Sequence, residues 1–523
     1  MDREINLDST RALEKQVDKY ERAVIQLKPT RNSLLNISTL LPPEILGTIF
    51  HWNVIPEGDF GGLPKRSYNF LLVCRHWFEV ASRTPGLWSF WGNSIKDWEH
   101  RHIHHGTAPL DLALDGPGRL SNQPRDALRD RATRGAIRRI CLRSPSAELL
   151  SSVISAIATK GEGTRSNSVE SFKVVNHGGS FLVDISAFFS RYHLPKLRSL
   201  HLYRCQISSW GLLKSQTSAL TRLVLTTNQL PPDPTLSHLL SILSSSPLLR
   251  DLALYHSPVF HAIGDDAPTI RVQLRHLEQL RLTGDFLRVS TLLNLLEIPD
   301  KMDNQTMVLY GCSPLHLSQT IGPYLGDRVR RRGAVPGGGI GLFAEHRRGS
   351  FCLRARDTSA GEADWFTEVT AVMVAQPEDR EADRLGCDLI AHIPLEQVAS
   401  LQTHLPILHW EELCVGMRNL THLHLVDINL PRWFIESHAQ KELLRRLNHI
   451  VITRPTLRLG RCDWTPLTDF LFNRAAIGNR ISSLKLTGDH RFVDNEVVGS
   501  IERVVDVFED EGENEYDGSD EYD

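Results

Sequence analysis

Two short clusters in this chain contain residue types that could hold a ligand. The glycine-rich run from Pro336 to Gly341 could wrap a phosphate group, but a phosphate-binding loop needs Lys and Ser or Thr where it enters a helix, and neither stands there. Four histidines, common zinc ligands, crowd together as His100, His102, His104 and His105. No cysteine or regularly spaced carboxylate completes a four-ligand set, so we predict no metal site, no nucleotide site and no cofactor.

The basic run from Arg328 to Arg332 could contact nucleic acid or act as a nuclear-import signal. It has no interleaved aromatic side chains on which bases could stack, so we expect no nucleic-acid binding and predict an exposed loop from Arg328 to Gly341. The chain also lacks the Gly-x-Ser-x-Gly elbow, the His-Glu-x-x-His helix and the kinase loop set. We therefore expect a non-catalytic protein.

The composition predicts a soluble protein. With 523 residues, of which 41% are hydrophobic and 23% charged, the chain is long enough for several domains or one long repeat array. Its eight cysteines stand singly and its N-terminus is charged, so we predict free thiols in a reducing compartment, cytoplasmic, nuclear or both. No apolar run approaches the ~20 residues that span a bilayer, and no membrane contact is expected.

The charge is distributed unevenly along the chain. The net charge is −3, but the segment from Asp506 to Asp523 contains ten Asp or Glu residues and no Lys or Arg. A run with so much charge and so few apolar residues cannot bury enough surface to fold. We predict that residues 506–523 form an acidic, disordered tail.

Residues 1–36 are predicted to form a helix with one apolar edge. The apolar residues follow one another at steps of four and three, the heptad pattern of a short coiled coil. They are Leu13, Val17, Tyr20, Val24 and Leu27. Pro29 is expected to break or kink the helix, and fewer than three clean heptads make an isolated coiled coil weak. Two interpretations stay open: the helix packs on the helical segment that follows, or it self-associates.

Residues 37–100 contain short amphipathic helices. The segment opens with Leu-Pro-Pro-Glu-Ile-Leu-Gly-Thr-Ile-Phe at 41–50, continues with Leu-Leu-Val-Cys-Arg-His-Trp-Phe-Glu-Val-Ala at 71–81, and closes with Pro-Gly-Leu-Trp at 85–88. The two prolines fit the first turn of a helix, where a missing N–H costs nothing. A unit this small cannot bury so many large apolar groups alone, so a partner chain or the rest of this chain should cover part of them.

This segment resembles the F-box, in the F-box-like form common in basidiomycete fungi, whose proteins often carry a leading helix. That motif reads roughly Leu-Pro-x-Glu-Ile-Leu-x-x-Ile-Phe, Leu-x-x-Val-Cys-x-x-Trp-x-x-x-Ala and Pro-x-Leu-Trp, and each part is present here. The resemblance implies docking onto a Skp-type adaptor and, through it, a cullin. The implied adaptor-binding residues are Leu41, Pro42, Ile45, Leu46, Ile49, Phe50, Val73 and Trp77. The spacer from His51 to Asn69 is longer than in a compact F-box.

A leucine repeat dominates residues 101–505. Units of the form Leu-x-x-Leu-x-Leu, some degenerate, start at Ile137, Val169, Leu197, Leu220, Leu249, Leu277, Leu420, Leu447 and Ile481. Each unit predicts a short strand whose first, fourth and sixth side chains enter a shared core, followed by an outer helix, and a single unit cannot bury its leucines without neighbours. Between about residues 300 and 406 the pattern weakens, and we predict degenerate or embellished repeats there.

The expected fold class combines these parts. An all-α F-box-like helical unit is followed by an α/β leucine-rich-repeat solenoid, with a parallel sheet on one side and helices on the other. The second part resembles the leucine-rich-repeat region that often follows an F-box. Side chains flanking the buried leucines would form the open sheet surface, where the candidate target-binding residues are Tyr203, Arg222, Tyr255 and Arg281.

Two functional hypotheses follow. In the first, the chain is the substrate-recognition subunit of an SCF-type (Skp/cullin/F-box) ubiquitin ligase, whose F-box-like helices dock the adaptor and whose repeats bind an unknown target protein. In the second, the repeats are an interaction scaffold unconnected to ubiquitination, and the helical segment caps their open end. Burial of Ile45, Phe50 and Trp77 by the repeats would favour the cap, whereas exposed apolar patches would favour docking.

Overall fold

The computed structural model divides into two compact units, Met1–Ser199 and Leu200–Asp523. The residues it describes are 2–35, 41–54, 69–92, 108–116, 125–126, 128, 137–157, 168–177, 183–191, 193–207, 210–226, 235–255, 271–299, 302–312, 317–333, 340–347, 350–358, 365–373, 388–404, 413, 415–426, 444–453, 464–487 and 495–511. Among these residues no helix is both long and apolar enough to cross a lipid bilayer.

The first unit begins with helices and continues with parallel strands. Its elements are α1 (Asp2–Leu35), α2 (Pro43–Val54), a 3-10 helix (Asn69–Leu72), α3 (Arg75–Ser82), a 3-10 helix (Pro85–Trp88), β1 (Phe90–Trp91), β2 (Leu110–Asp115), β3 (Ile137–Arg143), α4 (Ala147–Ile157), β4 (Ser171–Val175), β5 (Val183–Asp184) and α5 (Ser186–Arg191). Strand β1 pairs with β2, β2 with β3, and β3 with β4, each time in parallel.

Helix α1 occupies almost the whole of the segment predicted to be helical, residues 1–36. It runs from Asp2 to Leu35, so the expected break at Pro29 does not occur. A proline removes one hydrogen bond and crowds one carbonyl, a local cost of about 3 kcal/mol that does not oblige the flanking turns to unwind. All residues from Ala12 to Lys28 are exposed, so the apolar edge does not pack on the helices that follow.

The second unit is built from strands that alternate with helices. Its elements are β6 (Ser199–Tyr203, starting at the unit boundary), β7 (Cys205–Gln206), α6 (Gly211–Lys214), β8 (Arg222–Thr226), α7 (Leu236–Ser244), β9 (Asp251–Tyr255), β10 (Val272–Gln273), β11 (Gln279–Asp285), α8 (Phe286–Leu295), β12 (Leu296–Glu297), β13 (Asn304–Cys312), a π-helical turn (Leu317–Ile321), α9 (Gly322–Gly333), β14 (Ile340–Arg347), β15 (Ser350–Asp357), β16 (Trp365–Met373), a 3-10 helix (Leu395–Gln397), β17 (Val398–Thr403), β18 (His422–Val426), β19 (His449–Thr453), α10 (Thr465–Ala476), β20 (Ile481–Thr487), α11 (Asn495–Glu502) and β21 (Val505–Glu511).

Several strands of the second unit are joined to their neighbours by the same backbone hydrogen bond, donated by the N–H of the strand's first residue. The N–H of Asp251 donates to the carbonyl of Thr221 at 3.0 Å, and the N–H of Gln279 donates to that of Arg250 at 2.8 Å. The same step recurs at His449. Because each strand is placed on its neighbour in the same way, equivalent side chains of successive strands face the same side of the sheet.

The first, fourth and sixth positions of the predicted repeats are all buried. In the second unit Leu223 lies opposite Leu252, which lies opposite Leu280, so one row of leucines crosses three strands. Among the described residues, the strands of each unit form mostly parallel β-sheet structure that is accompanied by helices. The prediction of parallel strands combined with helices is therefore confirmed.

The weak-repeat region contains an antiparallel meander set among parallel strands. Strand β15 pairs antiparallel with β14 on one side and with β16 on the other. At the two borders, β16 pairs in parallel with β13, and β14 pairs in parallel with β17. An inserted meander thus takes the place of regular repeats here.

The predicted loop from Arg328 to Gly341 is wrong over most of its length. Helix α9 continues to Gly333 and β14 begins at Ile340, so the intervening residues 334–339, which lie outside the described residues, separate a helix from a strand. Arg328 is buried and donates to the carbonyl of Pro299. The sequence suggested a solvated basic cluster because it does not show that one arginine of the run faces inward.

The prediction of a disordered tail from residue 506 is wrong for residues 506–511. Residues 506–511 belong to β21, which pairs in parallel with β20. Lys485 Nζ lies 2.7 Å from Glu511 Oε1, and Arg480 Nε lies 3.1 Å from Asp506 Oδ1. Backbone pairing together with these two cations holds the acidic residues in place. Residues 512–523 lie outside the described residues.

A buried arginine fastens the loop before β19 to helix α10. The Arg474 guanidinium donates to the carbonyls of Leu444 at 2.6 Å, Leu447 at 2.8 Å and Asn479 at 2.9 Å. Leu444 has a φ of 54°, a left-handed conformation that is uncommon for leucine. Burial lowers the pKa of Arg474. The arginine therefore stabilises a strained turn by satisfying its carbonyls.

Replacing Arg474 by Met should lower the free energy of unfolding by about 3 kcal/mol, because several buried carbonyls lose their donor. Urea denaturation followed by circular dichroism measures the loss. Arg250→Met is the matched control: its exposed ion pair with Glu278 should contribute only about 0.5 kcal/mol. Equal losses in the two variants would contradict this role of Arg474.

Candidate protein-docking site

Helices α2 and α3 enclose an apolar core of their own. Leu46 and Phe50, one turn apart on α2, are buried. The Phe50 ring stacks on Phe70, with ring centroids 4.5 Å apart and planes at 12°. Trp77 of α3 contacts it from another direction, with centroids 5.1 Å apart. The helices therefore bury their inner apolar stripe against each other.

The chain after α3 folds back and closes this core. Trp88 is buried, and its Nε1 donates to the carbonyl of Ala81 at 2.8 Å. The Thr84 hydroxyl donates to the carbonyl of Val80 at 2.8 Å. A Cβ atom on Gly47 would lie 3.1 Å from Thr84 Oγ1, so a larger residue there would require the Thr84 side chain to shift by a few tenths of an ångström. Side chains and carbonyl groups of residues 41–54 and 69–88 thus hold α2 and α3 together.

A second set of apolar side chains on α2 is exposed. Ile45, Ile49 and Trp52 follow one another at i, i+4 and i+7, which places them along one stripe of the helix. Trp52 is 66% exposed. Burying an aliphatic side chain of this size contributes roughly 1.5–3 kcal/mol, so the stripe is a substantial source of association energy.

Three further apolar side chains are exposed around the start of α3. Leu72 ends the first 3-10 helix and is 85% exposed, and Val73 and Phe78 are also exposed. Isolated surface hydrophobics are ordinary, but six among residues 41–54 and 69–88 are a concentration of exposed apolar side chains.

A shallow cavity of about 260 Å³ with both polar and apolar lining groups lies between the start of α2 and helix α3. The residues that line it are Pro43, Glu44, His76, Glu79, Val80, Arg83 and Thr84. At its edge Arg75 Nε lies 2.9 Å from Glu79 Oε1 in an exposed ion pair. Polar groups beside exposed apolar groups match the composition of protein–protein interfaces, in which a polar rim surrounds an apolar centre.

The predicted adaptor-binding residues divide between surface and core. Those exposed to solvent are Pro42, Ile45, Ile49 and Val73. Leu41 and Trp77 are half-buried and pack against the helical core. Leu46 and Phe50 are buried, so they shape the surface from inside and do not themselves face a partner.

Sequence reasoning missed Trp52, Leu72 and Phe78 as surface residues. Trp52 was detectable, because it lies three residues beyond Ile49 on the same helical stripe. Leu72 was not, because its outward direction follows from the 3-10 helix, in which Phe70 takes the buried position.

Polar contacts join the helical segment to the strands of the first unit. Arg138 holds Asp111 with two hydrogen bonds, from Nη2 to Oδ2 at 2.7 Å and from Nε to Oδ1 at 3.1 Å. The N–H of Asp111 donates to the carbonyl of Ser89 at 2.7 Å. Burial lowers the pKa of His51 on α2, and the charge of Arg138 lowers it further, while Asp111 acts in the opposite direction. The surroundings of His51 therefore favour its neutral form in the folded state.

The candidate target-binding residues lie on the strand face opposite the leucines, which is only partly accessible, since Val224 and Ala253 on it are buried. All of Tyr203, Arg222, Tyr255 and Arg281 are half-buried. Arg222 Nε lies 2.9 Å from Asp251 Oδ2, and Arg281 Nη2 donates to Gln279 Oε1 at 3.0 Å. Neighbouring side chains therefore hold both guanidinium groups in place, and the Arg222 charge is balanced by a carboxylate.

Within the described residues, no three His, Cys, Asp or Glu side chains are arranged to hold a metal ion. The histidines at 100–105 lie outside that part of the chain. What the geometry offers is an apolar surface on α2 and α3 and an ordered polar face on the second unit. No protein-family model matches the sequence, and no curated protein sequence matches it either.

Phe50→Ala should lower the free energy of unfolding of the helical segment by about 3–5 kcal/mol, because it opens a cavity between Phe70 and Trp77. Leu72→Ala should change it by about 0.5 kcal/mol or less, because that side chain is exposed. Urea denaturation followed by tryptophan fluorescence compares them. Similar losses would contradict the division into buried and exposed residues.

Stability should fall as the pH is lowered through the range in which His51 titrates. Its folded-state pKa lies below the unfolded value of about 6.5, so stabilisation present above that value is lost as protons bind the unfolded chain first. Thermal unfolding at pH 7.5 and 5.5 measures the shift. His51→Gln should show a smaller shift than the parent, and an equal shift would contradict the argument.

Proposed function

We propose that this chain is the substrate-recognition subunit of an SCF-type ubiquitin ligase. In this function α2 and α3 dock onto a Skp-type adaptor, which connects to a cullin, and the strands of the second unit bind a target protein. The observation that supports the proposal best is the exposed apolar surface beside a helical core that is already closed.

The division of labour within α2 suits an adaptor-binding helix. Leu46 and Phe50 fix the helix on its neighbours, while Ile45 and Ile49, each adjacent in sequence to one of them, stay exposed. An adaptor that covers Ile45, Ile49 and Leu72 gains their burial energy without disturbing the helical core. Desolvated apolar anchors of this kind dominate the energy of protein–protein interfaces.

We also propose that the parallel strands are leucine-rich repeats. The sixth positions of four successive units, Leu202, Leu225, Leu254 and Leu282, advance by 23, 29 and 28 residues, which is the spacing of such repeats. A stack of this kind presents one continuous accessible face. Tyr255 and Arg281 on that face are the side-chain types most often found as anchors in interfaces.

In this function the chain itself makes and breaks no bonds and needs no cofactor. It holds the target and the adaptor on one polypeptide, which raises the effective concentration of target lysines near a ubiquitin-conjugating enzyme. Specificity then depends on which protein fits the accessible face. Such a subunit acts in the cytoplasm, the nucleus or both.

One observation favours the interaction-scaffold alternative. Strand β1 pairs in parallel with β2, and Phe90 packs against Ala113 and Cys141. The chain that follows α3 thus adds a strand to the sheet of the first unit and protects its edge, which is what a cap does. The capping contacts and the exposed stripe use different residues, so a cap alone does not account for exposed Ile45 and Trp52.

The double variant Ile45→Asp/Leu72→Asp should abolish recovery of a purified Skp-type adaptor in a pull-down with the full chain. A carboxylate forced into an apolar interface loses its hydration without gaining a partner. The matched control is Leu287→Asp, which changes a leucine of α8 that is 61% exposed and should leave recovery unchanged.

Far-UV circular dichroism of both variants should match that of the parent, because the substituted side chains are exposed. Full recovery of the adaptor by the double variant would refute this docking surface. Failure of the parent chain to recover the adaptor would leave the scaffold function as the explanation of the same fold.

A further inference from the structure

The apolar edge of α1 is a second exposed surface, separate from the helical segment that follows. Across residues 12–28 every side chain is exposed. The edge consists of Leu13, Val17, Tyr20, Val24 and Leu27, whose steps of four and three place them at alternate core positions of a heptad. Helix α1 has 34 residues and is about 51 Å long, so a partner helix lying along this edge could bury its apolar side chains over several turns.

The residues that flank this edge differ between its two sides. On one side, each directly following a core position, stand Glu14, Glu21 and Lys28. On the other side, each directly preceding a core position, stand the uncharged Gln16 and Ala23. These flanking positions decide partner choice and orientation in coiled coils, because their side chains meet those of the facing helix.

A parallel pair of α1 helices would gain no ion pairs in this region. In a parallel coiled coil the charged side of one helix faces the uncharged side of the other, so Glu21 would meet Gln16, and Lys28 would meet Ala23. The charges would then remain without an opposite partner across the interface.

An antiparallel pair of α1 helices gains ion pairs that a parallel pair does not. With Val17 facing Leu27 and Tyr20 facing Val24, the charged sides of the two helices meet. Glu14 of each copy then comes beside Lys28 of the other, while the two Glu21 side chains face each other. By symmetry the alignment forms two ion pairs against one like-charge pair, a net attraction that the parallel pair lacks. The small Ala23 side chains lie on the opposite side, where they allow the helices to approach closely.

We propose that two copies of this chain associate through an antiparallel coiled coil of their α1 helices. The heptad edge supplies the buried contacts, and the two Glu14–Lys28 pairs select the orientation and favour a second copy over an unrelated helix. The inference does not rest on the proposed adaptor function. If both hold, the assembly carries two adaptor-docking segments.

The oligomeric state of the full chain, measured by sedimentation velocity over a wide concentration range, tests the proposal. The parent should shift to twice the chain mass as concentration rises, and Val17→Asp/Val24→Asp should stay at the chain mass. Glu14→Lys and Lys28→Glu should each raise the dissociation constant about tenfold, because two attractions become repulsions, and the double exchange should restore it.

Lys15→Glu provides the matched control. It makes the same charge change as Lys28→Glu at a position that faces away from the apolar edge, so it should leave the dissociation constant unchanged. A parent chain that stays at one chain mass would overturn the proposal. Single charge exchanges without effect would overturn the antiparallel alignment. Because Val17→Asp/Val24→Asp leaves α2 and α3 intact, it should still recover the adaptor, which separates the two proposals.

Discussion

The second unit depends on one constraint: every strand must present the same apolar positions to one buried face. Side chains alternate along a strand with a period of two, so a slip of one residue would bring every leucine to the accessible face. The repeated hydrogen-bond step between neighbouring strands fixes the register, and Leu252 accordingly lies between Leu223 and Leu280. Arg222 and Tyr255 are adjacent in sequence to buried leucines of their strands, so their side chains lie on the opposite face of the sheet.

A different balance governs the helical segment of the first unit. Its helices are too short to bury all their large apolar groups, and they divide them between an inner and an outer stripe. Phe50 contacts Phe70 and Trp77, while Ile49, its neighbour in sequence, remains exposed. The inner stripe gives the segment its shape, so the outer stripe can associate with a partner without unfolding anything. This division makes a docking function physically economical.

The sequence was most informative where a period repeats. Strand positions and the buried leucines of the repeats could be predicted because the same apolar pattern, Leu-x-x-Leu-x-Leu, recurs in each unit. Features that depend on a single contact could not be predicted. Arg328 faces inward because it donates a hydrogen bond to the carbonyl of Pro299, and Asp506 belongs to a strand because β20 supplies a neighbouring edge. At the candidate site the motif marked Ile45 and Phe50 alike, and only the packing of α2 on α3 separates surface from core.

The meander explains how the region of weak repeats can interrupt the pattern without interrupting the buried rows. Three strands are an odd number, so β16 continues the direction of β13, β15 reverses it, and β14 restores it for β17. Opposed residues from β11 to β20 continue one row through it: Leu282, Met307, Val369, Leu353, Ala344, Thr403, Leu425, Ile452 and Leu486. All nine are buried. Ala344 and Thr403 occupy positions that are leucines in other strands of this row. The leucine pattern is therefore lost from the sequence here, although the buried row continues in the structure.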